Sequence, residues 1–215
     1  MSRSSRDLTP LPDLLHGAAL AGPVRTRRPV YTDLLPPCNG ACPAGENIQQ
    51  WLYDAEEGPA KYEAAWRQIM QDNPFPAVMG RVCYRPCETA CNRAQLDSAV
   101  GINSVERFLG DEALREGWQV PVDATPTGEG GRGGAQVICG RVLVVGAGPS
   151  GLSAAYHLAR LGHWVTIKDA GAAAGGMMRY GIPKYRLPRD ILDAEITRIL
   201  DMGINLELNA TVTDI

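Results

Sequence analysis

The stretch RVLVVGAGPSGLSAAYHLARLGHWVTIKD, residues 141–169, most narrowly limits the fold of this chain. A β-branched run leads into a glycine turn, an alanine-rich segment and a second apolar run, which is the pattern of a βαβ unit. We predict a strand at 141–145 and a helix at 150–161, followed by a second strand. This part of the chain is therefore expected to be α/β and Rossmann-like.

The glycine turn of this unit has the form G-x-G-x-x-G. The first glycine permits the tight turn, the second lets the backbone approach a pyrophosphate, and the third lets helix and strand pack closely. Asp169, 23 residues after the first glycine, is placed to accept a hydrogen bond from a ribose hydroxyl. A turn that binds nothing is the alternative. The predicted dinucleotide-binding residues of the turn are Gly146, Gly148, Pro149, Ser150 and Gly151.

A second diglycine follows in GAAAGGMMRYGIPKYRLP, residues 171–188. This is more backbone than a simple dehydrogenase needs after its acidic residue, and it indicates a loop laid along a longer cofactor such as FAD. Gly175, Gly176 and Met177 are the candidate contacts. The alternative, which we favour for the methionines, is that Met177, Met178 and Tyr180 are ordinary core residues.

Five of the six cysteines fall into two tight groups, and Cys139 stands alone. No convincing signal peptide is present, so we expect a cytoplasmic, reducing environment, where such groups hold a metal or cluster more often than a disulfide. No histidine lies near them in sequence, which disfavours zinc without excluding it. An iron–sulfur site is our first interpretation; zinc and plain core or redox thiols are the alternatives. The grouped cysteines are Cys38, Cys42, Cys83, Cys87 and Cys91.

The cysteines of the second group are spaced by four residues and would share one face of a continuous helix, but Pro86 argues against a helix that runs through all three. We predict that Cys83 lies in a turn and that Cys87 and Cys91 lie on a helix beginning near Pro86. In the first group, C-x3-C-P resembles the end of the bacterial ferredoxin run, whose last cysteine serves a different cluster from its neighbours.

Apolar spacing predicts three helices between residues 46 and 117, with Ser104 as the N-cap of the third and Gly117 just past its end. The segments are 46–58, 59–74 and 104–117. The predicted organisation is an extended arm at 1–36, an α-helical domain at 37–120, a flexible linker at 121–140 and an α/β domain at 141–215. The chain as a whole is therefore expected to be α+β.

Charge and hydropathy exclude two classes of partner. The chain has 21 basic and 24 acidic residues, a net charge of −3 and no basic stripe, so we expect no nucleic-acid partner. The apolar stretch near the N-terminus is far shorter than a membrane span, so we expect no membrane partner either.

Taken together, the motifs resemble the small (beta) subunit of NADPH-dependent glutamate synthase and the N-terminal region of dihydropyrimidine dehydrogenase. The resemblance implies an α-helical domain with two [4Fe-4S] clusters, followed by an FAD domain into which an NADPH domain is inserted. The stretches that carry it are CNGACPAGENIQQWL, NPFPAVMGRVCYRPCETAC, GINSVERF, VLVVGAGPSGLSAAYHLARLGHWVTIKD and GGMMRYGIPKYRLP.

The resemblance also implies ligands. Cys42, Cys83 and Cys87 match thiolates of one cluster, and Glu106 matches the position where a Glu or Gln completes it. Cys38 and Cys91 match ligands of the other cluster, but the two cysteines that precede the Cys38 position in the family are absent. We therefore expect one cluster and treat a second as the alternative. The chain also ends before any NADPH-binding fingerprint, as a fragment of a longer protein would.

The function implied is that of a flavoprotein oxidoreductase, in which NAD(P)H reduces FAD and electrons pass through [4Fe-4S] to a partner subunit. That partner would resemble the glutamate synthase large subunit or a 2-oxoacid oxidoreductase. No Ser/His/Asp or paired-carboxylate constellation stands out in the sequence. The alternatives are a non-catalytic electron-relay or assembly module and a zinc-stabilised nucleotide-binding domain.

Overall fold

A computed structural model describes residues 35–120 and 140–214. It combines helices with a small parallel sheet, which confirms the α+β prediction, and the described residues belong to one compact unit. Cys139, the predicted linker up to residue 139 and the arm up to residue 34 lie outside the described residues. The helices are α1 Pro37–Ala41, α2 Ile48–Glu56, α3 Tyr62–Asp72, α4 Pro76–Val82, α5 Pro86–Thr89, α6 Ile102–Glu116, α7 Pro149–Arg160, α8 Gly176–Tyr180 and α9 Arg189–Leu200, with 3₁₀ turns at Pro59–Lys61 and Asn92–Gln95.

The sheet contains β1 Arg141–Val145, β2 Trp164–Lys168 and β3 Asn205–Glu207. Its order is β1-β2-β3 with both pairings parallel, and Val144 of β1 lies opposite Ile167 of β2. The predicted βαβ unit is confirmed, because α7 connects β1 to its parallel neighbour β2. Leu152, Tyr156 and Ile167 are fully buried in the core beneath this unit.

The helical part follows the apolar spacing, with two corrections at element starts. α3 begins only at Tyr62, after the 3₁₀ turn. α6 begins at Ile102 with Gly101 as its N-cap, so the Ser104 N-cap prediction is wrong: the Ser104 N–H already donates to the Gly101 carbonyl within the first turn. Gly117 ends the helix in a left-handed conformation (φ 68°), as predicted.

The cysteine segments hold short helices that apolar periodicity does not reveal. α5 begins at Pro86 and carries Cys87 as predicted, but it ends at Thr89, so Cys91 lies outside it and that part of the prediction is wrong. α1 and α4 were not predicted. Each begins with a proline in its first turn, and neither spans more than two turns, which is too short for a 3.6-residue period to show.

Two glycines set the close crossing of α4 and α6. A Cβ on Gly80 would lie 2.4 Å from the Cβ of Arg107, and one on Gly110 would lie 2.4 Å from the backbone nitrogen of Ala77. The two backbones therefore approach as closely as they do only because side chains are absent there. This approach brings the C-terminal end of α4 beside the first turns of α6.

Buried polar contacts join the helical part to the βαβ part. The Tyr156 hydroxyl of α7 donates to the Met70 carbonyl at 2.5 Å, and Arg160 donates to the Gln71 carbonyl at 2.9 Å. The fully buried Glu195 carboxylate of α9 accepts from the backbone N–H groups of Ala77 and Val78 at 3.0 and 2.9 Å. It thereby satisfies donors at the start of α4 that have no partner within the helix.

Candidate functional site

Three cysteines and Glu106, which come from distant segments, line a single cavity of about 420 Å³ together with Glu46 and Asp72. Cys42 follows the end of α1, Cys83 follows the end of α4, Cys87 lies on α5, and Glu106 lies on α6. The tertiary structure thus brings together the four residues that the resemblance assigns to one cluster. This cavity is called the cysteine cavity below.

The remaining pair of grouped cysteines lies apart from this cavity. Cys38 is buried and Cys91 is close enough to influence its ionisation, whereas Cys87 is influenced by Cys83 and Cys42. Neither Cys38 nor Cys91 lines the cysteine cavity. Cys42 therefore lines the cysteine cavity and Cys38 does not, and the division of this pair between two clusters stays a prediction.

Burial suppresses the ionisation of the Cys87 and Cys42 thiols. It raises the pKa of Cys87 to about 11, with smaller contributions from the neighbouring Cys83 and Cys42 thiolates. Burial likewise raises the pKa of Cys42. Iron or zinc binds thiolate and not thiol, so loading this site requires the release of protons, and a bound cation supplies the driving force.

A strained residue points a backbone donor at one of the sulfurs. Arg85 adopts the left-handed conformation (φ 60°, ψ 48°), which is uncommon for a residue with a side chain. Its N–H donates to the Cys83 sulfur at 3.3 Å. Backbone donors to thiolate sulfur tune cluster potentials, so the strain at Arg85 has a use at this site.

Two buried carboxylates face each other across an asparagine in the same cavity wall. The Asn73 amide donates to Glu46 at 3.0 Å and to Glu106 at 2.9 Å, and the Trp51 indole donates to Glu46 at 3.2 Å. Burial raises the pKa of both carboxyl groups, and that of Glu106 is raised further by the neighbouring Glu46. Asn103 adds a weaker bond to Glu106 at 3.4 Å.

Our sequence reasoning did not identify Glu46, Asn73 or Asn103. They are separated from Glu106 by up to 60 positions along the chain, and only the Asn103–Glu106 spacing is a recognisable helical neighbour relation. Glu46 and Asn73 line the cavity because of the way in which α2, α3 and α6 pack together, and the sequence does not show this packing.

The donor set fits a cluster. Within residues 35–120 and 140–214, no three His, Cys, Asp or Glu side chains are placed to hold one metal ion. In a cubane each ligand binds its own iron, so the ligands surround a volume and need not meet at a point. Three unpaired thiols and a carboxylate around a roomy cavity satisfy that requirement.

The glycine turn has the conformation that a dinucleotide site requires. Gly146 has φ 102°, and a Cβ on Gly151 would lie 1.9 Å from the Gly146 carbonyl oxygen, so neither position accepts a side chain. Gly148 caps α7, whose first turn contains Pro149 and Ser150. The turn therefore has the backbone geometry that the fingerprint requires, and its residues fit a dinucleotide whose phosphates meet the N–H groups at the start of α7.

The second diglycine packs onto this turn. The Gly175 N–H donates to the Ala147 carbonyl at 2.7 Å, and a Cβ on Gly176 would lie 2.8 Å from the Gly148 Cα. Met178 is buried, in keeping with the core interpretation, whereas Met177 is 71% exposed and is not core. Met177 therefore remains a predicted cofactor contact.

Asp169, one residue past β2, holds the loops together. Its carboxylate accepts from the Ala147 N–H at 2.5 Å and from the Gly171 N–H at 2.6 Å. A carboxylate offers about four acceptor positions, so the predicted ribose contact is compatible with both bonds. Asp169 thus has a structural task that the sequence pattern did not indicate.

Two family models match the two halves of the chain. Residues 31–118 match dihydropyrimidine dehydrogenase domain II, 4Fe-4S cluster, and residues 144–206 match the NAD(P)-binding Rossmann-like domain. The first range contains all five grouped cysteines and Glu106; the second contains the glycine turn and Asp169.

Curated relatives with oxidoreductase names match most of the chain. The NADP(+)-dependent formate dehydrogenase subunit beta of Moorella thermoacetica is 40% identical over 91% of this chain and 29% of its own length. The NAD-dependent dihydropyrimidine dehydrogenase subunit PreT of Escherichia coli is 35% identical over 82% of the chain and 40% of its own length. The small chain of glutamate synthase [NADPH] of Bacillus subtilis is 33% identical over 80% of this chain and 32% of its own length.

The chain is similar to these oxidoreductase subunits over most of its own length, and it carries a 4Fe-4S domain match followed by a Rossmann-like domain match. It spans less than half the length of these relatives. Several of them are named as subunits or chains of larger enzymes. Within the described residues, no helix has both the length and the apolar character needed to cross a bilayer.

Proposed function

We propose that this chain carries electrons between NAD(P)H and a partner subunit in a cytoplasmic oxidoreductase, through FAD and one [4Fe-4S] cluster. The observation that carries the proposal is that the cysteine cavity and the predicted dinucleotide site share the start of α7 as a wall. The cysteine cavity is lined not only by the thiols but also by Pro149, Ser150 and Ser153 of the first turn of α7, directly after the glycine turn. The two cofactor sites therefore adjoin.

The residues divide the work of binding. Cys42, Cys83, Cys87 and Glu106 hold the cluster, with the Arg85 N–H donating to the Cys83 sulfur. Asn73 and Asn103 orient the Glu106 carboxylate. When bound, flavin and cluster together convert the two-electron chemistry of a nicotinamide into single-electron transfer, and the protein supplies placement and tuning.

The nucleotide part binds FAD by its phosphates and ribose. The N–H groups at the start of α7 would bind the pyrophosphate, Asp169 would accept a hydrogen bond from the ribose, and Gly175, Gly176 and Met177 would contact the remainder of the cofactor. Relatives are named for NADH- and for NADPH-dependent reactions, so we propose a nicotinamide donor of either kind. The acceptor is a partner subunit like those of the related multi-subunit enzymes.

The test is anaerobic purification of the full-length protein, followed by an absorbance spectrum, iron and sulfide analysis, and titration with NADH and with NADPH. We expect flavin absorbance, about four irons and four sulfides per chain, and bleaching by one nicotinamide. Bound zinc without sulfide, or a colourless protein, would contradict the proposal.

Cys42 and Cys38 provide a matched pair of variants within one C-x3-C segment. Cys42→Ala is expected to remove iron and the cluster absorbance, because it deletes a cavity ligand. Cys38→Ala is expected to keep both, because Cys38 does not line the cavity. Equal loss of iron in the two variants would indicate that Cys38 is also a ligand.

A further inference from the structure

Glu88 directly follows the predicted ligand Cys87 on α5, but it does not line the cysteine cavity. One oxygen of its carboxylate accepts the backbone N–H of Asn103 at 2.9 Å, and the other lies 3.7 Å from the Arg85 guanidinium. The side chain is only 18% exposed. The Glu88 carboxylate therefore connects α5 to the first turn of α6.

The Asn103 N–H uses this distant acceptor because α6 has no side-chain cap of its own. The first N–H groups of a helix have no partner inside it, and a polar side chain at the N-cap usually supplies one. The N-cap of α6 is Gly101, which has no side chain to do so. Glu88 caps the helix from 15 positions earlier in the chain, and its negative charge suits the positive end of the helix.

Asn103 extends this connection to two further predicted ligands. Its side-chain amide donates to the Met79 carbonyl at 3.2 Å and to the Glu106 carboxylate at 3.4 Å. The Met79 carbonyl also accepts the backbone N–H of Cys83 at 2.9 Å. Hydrogen bonds thus run from the residue beside Cys87, through Asn103, to Glu106 and to the segment that holds Cys83.

The second oxygen of Glu88 faces the residue that donates to the Cys83 sulfur. Arg85 makes that bond with its backbone N–H, and its carbonyl accepts the Glu88 N–H at 3.1 Å. The side-chain pair between Arg85 and Glu88 is long, and the arginine is 55% exposed, so this pair by itself contributes little to stability. The partly buried bond to Asn103 is therefore the stronger contact of Glu88.

We propose that Glu88 is a positioning residue for the cluster, which keeps Cys83, Cys87 and Glu106 at the separations that the cluster requires. The proposal rests on the proposed function, because these are the residues that would bind the cluster. Residues that orient metal ligands without touching the metal typically change metal affinity by about 10–100-fold when they are replaced. Without the Glu88 carboxylate, the first turn of α6 loses its link to α5, and Glu106 loses its fixed position relative to Cys87.

The test compares Glu88→Ala, Glu88→Gln and Glu112→Ala in the full-length protein, purified anaerobically with its iron. The readout is the rate at which iron passes to a ferrous chelator. Glu112 is the matched control, because its side chain is 20% exposed and pairs with an arginine three residues away, near the C-terminal end of α6.

We expect Glu88→Ala to accelerate iron loss about tenfold or more. Glu88→Gln keeps an acceptor oxygen for the Asn103 N–H, so it should change the rate by less than about threefold. Glu112→Ala should change it by less than about twofold, because it removes only an exposed ion pair.

The midpoint potential of the cluster separates positioning from a general loss of stability. Tyr156→Phe removes one buried hydrogen bond outside the segments that carry the ligands. We expect Glu88→Ala to shift the potential, since ligand placement and hydrogen bonds to the sulfurs set it. Tyr156→Phe and Glu112→Ala should keep the wild-type potential, and Glu88→Gln should restore it.

Three outcomes would overturn the proposal: wild-type iron retention and potential in Glu88→Ala, equal impairment of Glu88→Gln and Glu88→Ala, or the same changes in Tyr156→Phe. If Glu88→Ala does not fold, Glu88→Asp replaces it, because its side chain is one methylene shorter and leaves the bond to Asn103 too long; wild-type behaviour of this variant would equally overturn the proposal. A wild type without iron and sulfide would contradict the proposed function, whereas failure of the positioning role requires a wild type that holds its cluster.

Discussion

At the scale of single residues, the most consequential side chain outside the cofactor sites is Glu195. It is completely buried, and burial raises its pKa to about 7 even though the Ala77 and Val78 N–H groups and Arg198 favour the charged form. Arg198 lies 3.7 Å away and stacks over the Trp66 ring at 5.1 Å. Glu195 thereby ties α9 to the helix that ends beside Cys83.

The raised pKa of Glu195 predicts a pH-dependent stability. Between pH 4.5 and about 7, the folded protein keeps a proton on Glu195 that the unfolded chain releases, so this contribution is present at low pH and is lost as the pH rises through 7. Glu195→Gln removes that proton exchange. We expect the free energy of unfolding of the wild type, minus that of the variant, to fall from pH 5 to about 8.

The measurement is denaturant unfolding followed by tryptophan fluorescence at several pH values, with exposed Glu56→Gln as the control. Parallel profiles for the wild type and Glu195→Gln would show that Glu195 ionises normally in the fold.

At the scale of elements, the α4–α6 crossing positions the cysteine cavity. α4 leads to Cys83 and α6 carries Asn103 and Glu106, so the distance between these helices sets the distance between one thiol and the carboxylate. The crossing depends on Gly110, whose missing side chain leaves room for the Ala77 backbone. Neither residue touches the cavity.

Gly110→Ala is therefore expected to destabilise the protein by about 1–3 kcal/mol, because its Cβ meets backbone atoms that cannot rotate away. The measurement is the free energy of unfolding in urea. Gly101→Ala is the matched control, since its Cβ would meet nothing closer than 3.8 Å. A loss in Gly101→Ala as large as that in Gly110→Ala would show that the crossing is not responsible, since helix propensity favours alanine over glycine.

At the scale of the whole molecule, the helical and βαβ parts behave as one packed body. Buried bonds from Tyr156 and Glu195 cross between them, and the first turn of α7 forms part of the cysteine cavity. A fixed geometry between two cofactor sites is what efficient electron transfer requires, and a freely moving pair of domains would not provide it.

Tyr156→Phe tests this coupling. Losing the hydroxyl leaves the buried Met70 carbonyl without that donor, so we expect a loss of about 1–2 kcal/mol. Thermal unfolding should remain a single transition when followed by tryptophan fluorescence and by far-ultraviolet circular dichroism. Tyr185→Phe, at an exposed tyrosine, should have no effect on stability. Two separate transitions in the wild type would contradict a single packed body.

The sequence by itself determined the parts of this protein that depend on local physics. The glycine positions at Gly146 and Gly117, the apolar period of α2, α3 and α6 and the β-branched runs of β1 and β2 are properties of neighbouring residues, and each was predicted, whereas α8, α9 and β3 were not. Iron–sulfur chemistry was predicted from the clustered cysteines and from the family resemblance of the motifs. The family model that matches residues 31–118 agrees with that prediction.

Only the tertiary structure decided how these parts meet. The bonds from Asn73 to Glu46 and Glu106 and the capping of α4 by Glu195 link residues that are far apart in the chain. The family resemblance had implied that Cys42, Cys83 and Glu106 share a site, and the tertiary structure supplies the cavity that all three line. No local period encodes such contacts. They arise because α2, α3, α6 and α9 bury their apolar faces. The polar groups that are buried between these helices must then form hydrogen bonds with one another.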